Sequence, residues 1–157
     1  MTPAILLARQ AGIPHDVLSY AHDPKAESYG LEAAEALHLD PDTVFKTLVV
    51  EVEGLGLACA VVPVSAMLDL KAMADAVHGR RAKMADVSAA ERATGYIVGG
   101  ISPLAQKKPL PLVLDDTAIL YERIHVSAGR RGVEMALAAD DLLRLTSGLL
   151  APIARTA

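Results

Sequence analysis

The chain has 157 residues, enough for one compact core, and 52% of them are hydrophobic while only 3% are aromatic, so Val, Leu, Ile and Ala have to fill the interior. Fifteen Lys and Arg against nineteen Asp and Glu leave a net charge of −4, which argues against a protein that coats nucleic acid with one large basic face. The lone cysteine, Cys59, sits in the apolar run LACAVVPV, and the start MTPAILLARQ lacks the basic stretch of a signal segment; the expectation is a soluble, reduced, cytoplasmic protein without a membrane segment, folded as one domain over residues 1–157.

Thr2 as N-cap, Pro3 at the first helical position and Gly12 as terminator predict a helix over 2–11, and HDVLSY (15–20) predicts a strand ended by the Asp23-Pro24 turn. Leu31, Ala34 and Leu37 have helical spacing over 29–39, which Asp40-Pro41 stops. Residues 44–64 hold two β-branched, apolar runs around Glu53-Gly54-Leu55-Gly56, a hairpin whose strands belong in the centre of a sheet. A helix over 68–79 carries Asp69 near its start and Gly79 as C-cap, and a short strand at Lys83 leads to a helix with a Ser88–Glu91 capping box and Gly95 at its end. Strands follow at YIVGG (96–100), PLVLDD (111–116), IHVSAG (124–129) and VEMAL (133–137), then a helix in ADDLLRLTSG (139–148). Hairpins outnumber crossovers, so the expected fold is α+β: a mixed, mostly antiparallel sheet, strongly twisted or barrel-like, surrounded by helices.

The stretch YIVGGISPLAQKKPLP (96–111) resembles several reactive loops and matches none. A nucleophile elbow needs glycine two residues to either side of the serine, and Gly100-Ile101-Ser102-Pro103-Leu104 lacks the second, while Pro103 removes the N–H that would follow Ser102. Neither a dinucleotide fingerprint nor a Walker loop is present. What remains is a Gly99-Gly100 turn that can bring main-chain N–H groups close to a ligand, or that is simply a tight corner; the residues alone favour the corner. His15, His22, His38, His78 and His125 are scattered, with no metal-binding spacing, so no metal is expected. Lys46 interrupts an apolar strand. It shares its face with Val44 and Leu48, which weakens the reading as an ordinary solvated lysine and favours one that lines a cleft and holds a phosphate or carboxylate. The basic clusters HGRRAK (78–83), QKK (106–108) and GRR (129–131) are either solvated edges or phosphate contacts.

Taken together, HDP (22–24), VFKTLVV (44–50), LDLKAMA (68–74), ATGYIVGGISPLAQKK (93–108) and VSAGRRG (126–132) resemble the YbaK/EbsC group of free-standing aminoacyl-tRNA deacylases, related to the editing domain of bacterial prolyl-tRNA synthetase. The resemblance runs through nearly the whole chain. It implies a trans-editing enzyme that cleaves the ester of a mischarged aminoacyl-tRNA, most simply Cys-tRNA(Pro), without a cofactor; a module that only binds the aminoacyl-tRNA 3′ end is the alternative. In that reading Lys46 and the loop Gly99, Gly100, Ile101 and Ser102 are the catalytic positions. Tyr20, His22, Tyr29 and Pro103 line the substrate site, and Arg80, Arg81, Lys107, Lys108, Arg130 and Arg131 form a basic rim for the tRNA 3′ end. The implied partners are tRNA(Pro) and prolyl-tRNA synthetase, with no DNA and no membrane. An activated ester needs positioning and oxyanion donors more than a side-chain nucleophile, so water, or the thiol of a cysteinyl substrate, can attack. The sequence departs from the family pattern at Ala105, where a glycine is usual.

Overall fold

The computed structural model describes residues 1–26 and 28–156. Local signals place most elements. The Thr2 hydroxyl accepts from the Ile5 N–H and opens α1, Pro3–Ala11, which Gly12 closes at φ 68°. After β1, His15–Ser19, the Ser28 hydroxyl caps α2, Tyr29–Ala36. β2, Phe45–Val52, and β3, Gly56–Pro63, form the expected hairpin, with Gly54 and Gly56 both at positive φ in its turn. β4, Ala66–Leu68, is followed by α3, Leu70–Ala76, whose N-cap Asp69 accepts from the Ala72 N–H. Then come β5, Ala82–Met84, and α4, Val87–Thr94, closed by Gly95. The last third carries β6, Leu112–Asp115; β7, Ile124–Arg130; β8, Val133–Leu137; α5, Ala139–Thr146; β9, Leu149–Ala151; and β10, Ala154–Thr156.

The strands form a five-stranded sheet in the order β5-β2-β3-β6-β9, a three-stranded sheet β1-β8-β7 and a β10-β4 pair. Pairing is antiparallel except for β3-β6 and β6-β9. The mixed, mostly antiparallel α+β fold is therefore as expected, but the sheet stays open rather than closing into a barrel: among the described residues a single parallel bridge, Val44 to His125, joins the residue just before β2 to β7. Hydrophobic alternation explains why β3 is central. Cys59 and Val61 point into the main core with Ile5, Ala8, Val126 and Leu142, while Ala58, Ala60 and Val62 pack on the other face against Met73 and Ile153. The Val, Leu, Ile and Met side chains among these each contribute about 1.5–3 kcal/mol on burial.

Three local expectations are corrected. YIVGG is not a strand; Gly99 turns at φ 93°, the Gly100 N–H bonds back to the Ile97 carbonyl, and the Val98 N–H is held by Glu91 Oε2 at 2.9 Å instead of by a neighbouring strand. That same bond takes Glu91 out of the supposed capping box, and α4 begins after Asp86 instead. Gly79 is not the left-handed cap of α3, a conformation adopted by His78 at φ 60°; Gly79 is needed for closeness, since a Cβ there would lie 2.1 Å from Val52 Cγ1. The three-residue strands β4, β9 and β10 carry too few alternating positions to be read from the sequence.

Candidate active site

β5 pairs with β2 only from Val50 to Val52, and the Ala85 N–H reaches the Val49 carbonyl. Below that point the outer edge of β2, from Val44 to Val49, borders a cleft of about 280 Å³. The cleft is closed opposite by Val98, Gly99 and Ile101 of the glycine loop, capped by Tyr29 of α2 and floored by Ser127 of β7 and Glu134 of β8.

Lys46 lies on this cleft, half-buried, with its Nζ donating to the Ala66 carbonyl at 3.0 Å. Burial holds its ammonium below the ordinary lysine range. No acidic partner within ion-pair distance of Lys46 is found among the described residues, so its ammonium, on a residue that lines the cleft, is met by one main-chain oxygen.

The loop wall is main chain held from outside. Arg131 donates from Nε and Nη2 to the Val98 carbonyl at 3.0 and 2.6 Å, and its guanidinium stacks 4.5 Å from the centre of the Tyr29 ring. His22 Nδ1 lies 2.7 Å from Glu32 Oε1, and its ring stands 5.7 Å from that of Tyr29, so Tyr29 is fixed on two sides. A Cβ on Gly99 would lie 2.6 Å from Arg131 Nε and 2.8 Å from Tyr29 Cδ2, and one on Gly100 would lie 2.7 Å from Arg130 Cα. Glycine is required at both positions by contact, and at Gly99 also by its φ of 93°.

Other expected site residues fall elsewhere. Ser102 is fully buried, its hydroxyl accepting from the Leu104 N–H at 3.1 Å, which makes it a turn-former away from the cleft lining. Pro103 borders a separate depression with Leu7 and Leu145. Tyr20 and His22 do not line the cleft; His22 reaches it only through the Tyr29 ring, and burial followed by the charge of Glu134 raises the Tyr20 phenol. Lys107 and Lys108 are exposed, with their backbone N–H groups tied to α4 at Thr94 and Ala93, and Arg130 is an exposed residue at the end of β7. Arg80 and Arg81 lie beside the β2–β3 turn, Arg80 within 3.9 Å of Glu53 and Arg81 hydrogen-bonded through its carbonyl to the Glu53 N–H. Of the six basic rim candidates, Arg131 reaches the loop with its side chain and Arg130 packs against Gly100 with its backbone.

Three polar cleft residues were missed. Thr47 and Glu134 carry buried oxygens with no hydrogen-bond partner, and Ser127 sits opposite Glu134 in the β7–β8 register. Burial pushes the Glu134 carboxyl up to about 8. The clue was available in VEMAL, where an acid interrupts an apolar strand just as Lys46 does in VFKTLVV. Among the described residues, no group of three or more His, Cys, Asp or Glu side chains could hold a metal ion, and no helix is long and apolar enough to cross a membrane.

Comparison with known proteins gives the site a family. Residues 23–145 match the aminoacyl-tRNA editing domain. The chain is 37% identical over 155 residues to EbsC of Enterococcus faecalis, assigned by name as a Cys-tRNA(Pro)/Cys-tRNA(Cys) deacylase, covering 97% of this chain and 92% of that one. It is 31% identical over 118 residues to the multifunctional Ser/Thr-tRNA deacylase ProXp-y of Escherichia coli, covering 71% of this chain and 70% of that one. A crystal structure described as a trans-editing enzyme for prolyl-tRNA synthetase superposes with a TM-score of 0.79 at 22% identity, covering 99% of each chain, which establishes the shared fold. The cleft between β2 and the glycine loop thus belongs to a chain that is a member of the aminoacyl-tRNA editing domain family.

Proposed function

We propose that this chain is a trans-editing deacylase that cleaves the ester of a mischarged aminoacyl-tRNA, with Cys-tRNA(Pro) as its preferred substrate. The observation that carries the proposal is the pairing, across one cleft, of a half-buried lysine with a rigid main-chain turn. In this reading Lys46 exchanges the Ala66 carbonyl for an anionic or strongly polar group of the terminal nucleotide, and the amides of Gly99 and Ile101, on either side of the Gly100 N–H that closes the turn onto Ile97, donate to the oxyanion that forms as the ester is attacked. Phe45, Val49, Ala90 and Ile101 provide an apolar wall for a small side chain. The names of the relatives support the reading, EbsC through cysteine and ProXp-y through serine and threonine, all of them small amino acids.

Attack by the substrate's own thiol breaks the acyl–oxygen bond, forms an acyl–sulfur bond and releases the 3′ hydroxyl of the tRNA together with a cyclic thiolactone; attack by water gives free cysteine. Only the single-stranded 3′ end has to enter, so Arg131 and its exposed neighbour Arg130 suffice as a local basic edge on an otherwise acidic chain. Selection of tRNA(Pro) is assigned to recruitment by prolyl-tRNA synthetase.

The test is a panel of Cys-, Ser-, Thr-, Ala- and Pro-tRNAs incubated with pure protein and with Lys46→Ala. Ester loss that is fastest with Cys-tRNA(Pro) and collapses in the variant is the expected result. A wild-type protein that binds these tRNAs and releases no amino acid would instead make the chain a binding module.

A further inference from the structure

The floor of the cleft holds an acid without a cation. Glu134 is 7% exposed, lies on β8 between the buried Val133 and Met135, and has an Oε2 with no hydrogen-bond partner. Among the described residues no Lys, Arg or His stands within ion-pair distance of it. The groups around it are Ser127 across the β7–β8 pair, Leu18 across the β1–β8 pair and the Tyr20 phenol, none of them a cation. Lys46 shares the cleft but gives its Nζ to Ala66. Thr47 Oγ1 is a second buried oxygen without a partner on the same cleft.

Burying such groups without partners costs free energy, and a fold that keeps two of them facing one cleft leaves hydrogen-bonding capacity for whatever enters it. The distribution of polarity around the cleft resembles that of an esterified amino acid. Phe45, Val49 and Ile101 offer an apolar side-chain wall, Lys46 and the Gly99 turn face the ester and nucleotide, and Glu134 with Thr47 remains for the third substituent of the α-carbon. That substituent is an amine.

We infer that Glu134, assisted by Thr47, is the anchor for the free α-amino group of the substrate, so that the site selects aminoacyl esters over acyl esters lacking an α-amine or carrying it blocked. The inference rests on the deacylase reading for the identity of the ligand. With its carboxyl raised to about 8 by burial, the acid waits largely neutral and ionises when the ammonium arrives, its proton passing to solvent or to an amine that enters neutral. No proton transfer to the ester is asked of it.

The experiment measures binding, so that it stands apart from turnover. Adenosine carrying cysteine through a non-hydrolysable 3′-amide is compared by calorimetry with the same compound in which hydrogen replaces the α-amine, using the wild type, Glu134→Gln and Thr47→Val. Gln keeps the shape and polarity of the neutral acid, which protects the fold. The wild type is expected to favour the amine by about 10- to 100-fold, the range of one charge-assisted hydrogen bond, and Glu134→Gln to lose most of that preference. Thr47→Val should reduce it by less. Equal affinity of the wild type for both compounds, absence of binding to either, or an amine preference that survives Glu134→Gln would each overturn the inference. Amine-dependent binding without hydrolysis of any aminoacyl-tRNA would instead support the anchor and reject the deacylase reading.

Discussion

The two walls of the cleft are made of different material. The β2 wall presents side chains, Lys46 and Thr47 among Phe45 and Val49, on a strand whose backbone is fixed by the hairpin to β3. The loop wall presents main chain around Gly99, clamped from behind by Arg131 and Glu91. Chemistry on the first wall can be changed by one substitution without moving the strand. On the second, a substitution acts by moving the backbone.

The sharpest way to break this contrast is Gly100→Ala. Its Cβ would lie 2.7–2.8 Å from the Arg130 and Arg131 backbone, atoms that cannot rotate away, so the loop itself has to shift. Overpacking of this kind costs about 1–3 kcal/mol, and a displaced turn that no longer meets the oxyanion should lower kcat/KM by ~100-fold or more. Both the denaturation midpoint and single-turnover deacylation are expected to fall. A variant with unchanged midpoint and rate would show that the loop wall tolerates movement, and the contrast would be lost.

Lys46→Ala tests the opposite wall. Loss of the ammonium should reduce the chemical step by ~100-fold, while stability drops by only about 1 kcal/mol for the bond to the Ala66 carbonyl. The separation of activity from stability is the diagnostic feature. A large fall in unfolding free energy would place Lys46 among structural residues.

These two walls were also unequally legible in the sequence. Lys46 stood out because an ion in an apolar strand violates burial preference wherever the strand goes. The same rule applied to Glu134, yet VEMAL offered no indication that β8 would pair with both β1 and β7 and bury the acid. The loop was legible as a glycine corner, but the run leading into it read as a strand, because what takes the Val98 N–H away from strand pairing is the Glu91 carboxylate, seven residues away in sequence and on a helix. Ser102 was the residue most easily overvalued; its hydroxyl serves the Leu104 N–H. The basic clusters could not be sorted without coordinates, since only the fold reveals that Arg131 reaches Val98 while Arg80 and Arg81 sit at the hairpin turn.

A smaller effect concerns the floor shared by the walls. The Glu134 carboxyl titrates near 8 in the folded chain against an ordinary 4.5, so the folded state binds the proton more tightly than the unfolded state does. Its contribution is fully present below pH 4.5 and is lost as pH rises toward about 8, at ~1 kcal/mol per pH unit crossed. Glu134→Gln removes this slope. Urea titrations at pH 5 and pH 8 should show the variant gaining stability relative to the wild type at the higher pH; His125, whose pKa burial lowers, is common to both proteins and cancels in the difference. Parallel profiles would mean that the carboxyl is already ionised and compensated at neutral pH.

The smallest effect is expected at Ala105, where the family resemblance calls for glycine. Ala105 holds φ 56°, a left-handed conformation that costs a residue with a Cβ about 1–2 kcal/mol. The turn is kept by its neighbours: the Tyr96 hydroxyl donates to the Leu104 carbonyl at 2.6 Å, and Gln106 Nε2 donates to the Ser102 carbonyl at 3.0 Å. Ala105→Gly relieves the strain but gives the unfolded chain about 0.4–1 kcal/mol more entropy to lose, so the net gain should be under ~1 kcal/mol, a rise of a few degrees in Tm. Because Ala105 borders the depression with Pro103 and not the cleft, kcat/KM should be unaffected. If activity instead changes with the added freedom, the position of Gly99 is set partly from the far end of the loop, and the main-chain wall extends beyond Ser102 to Ala105.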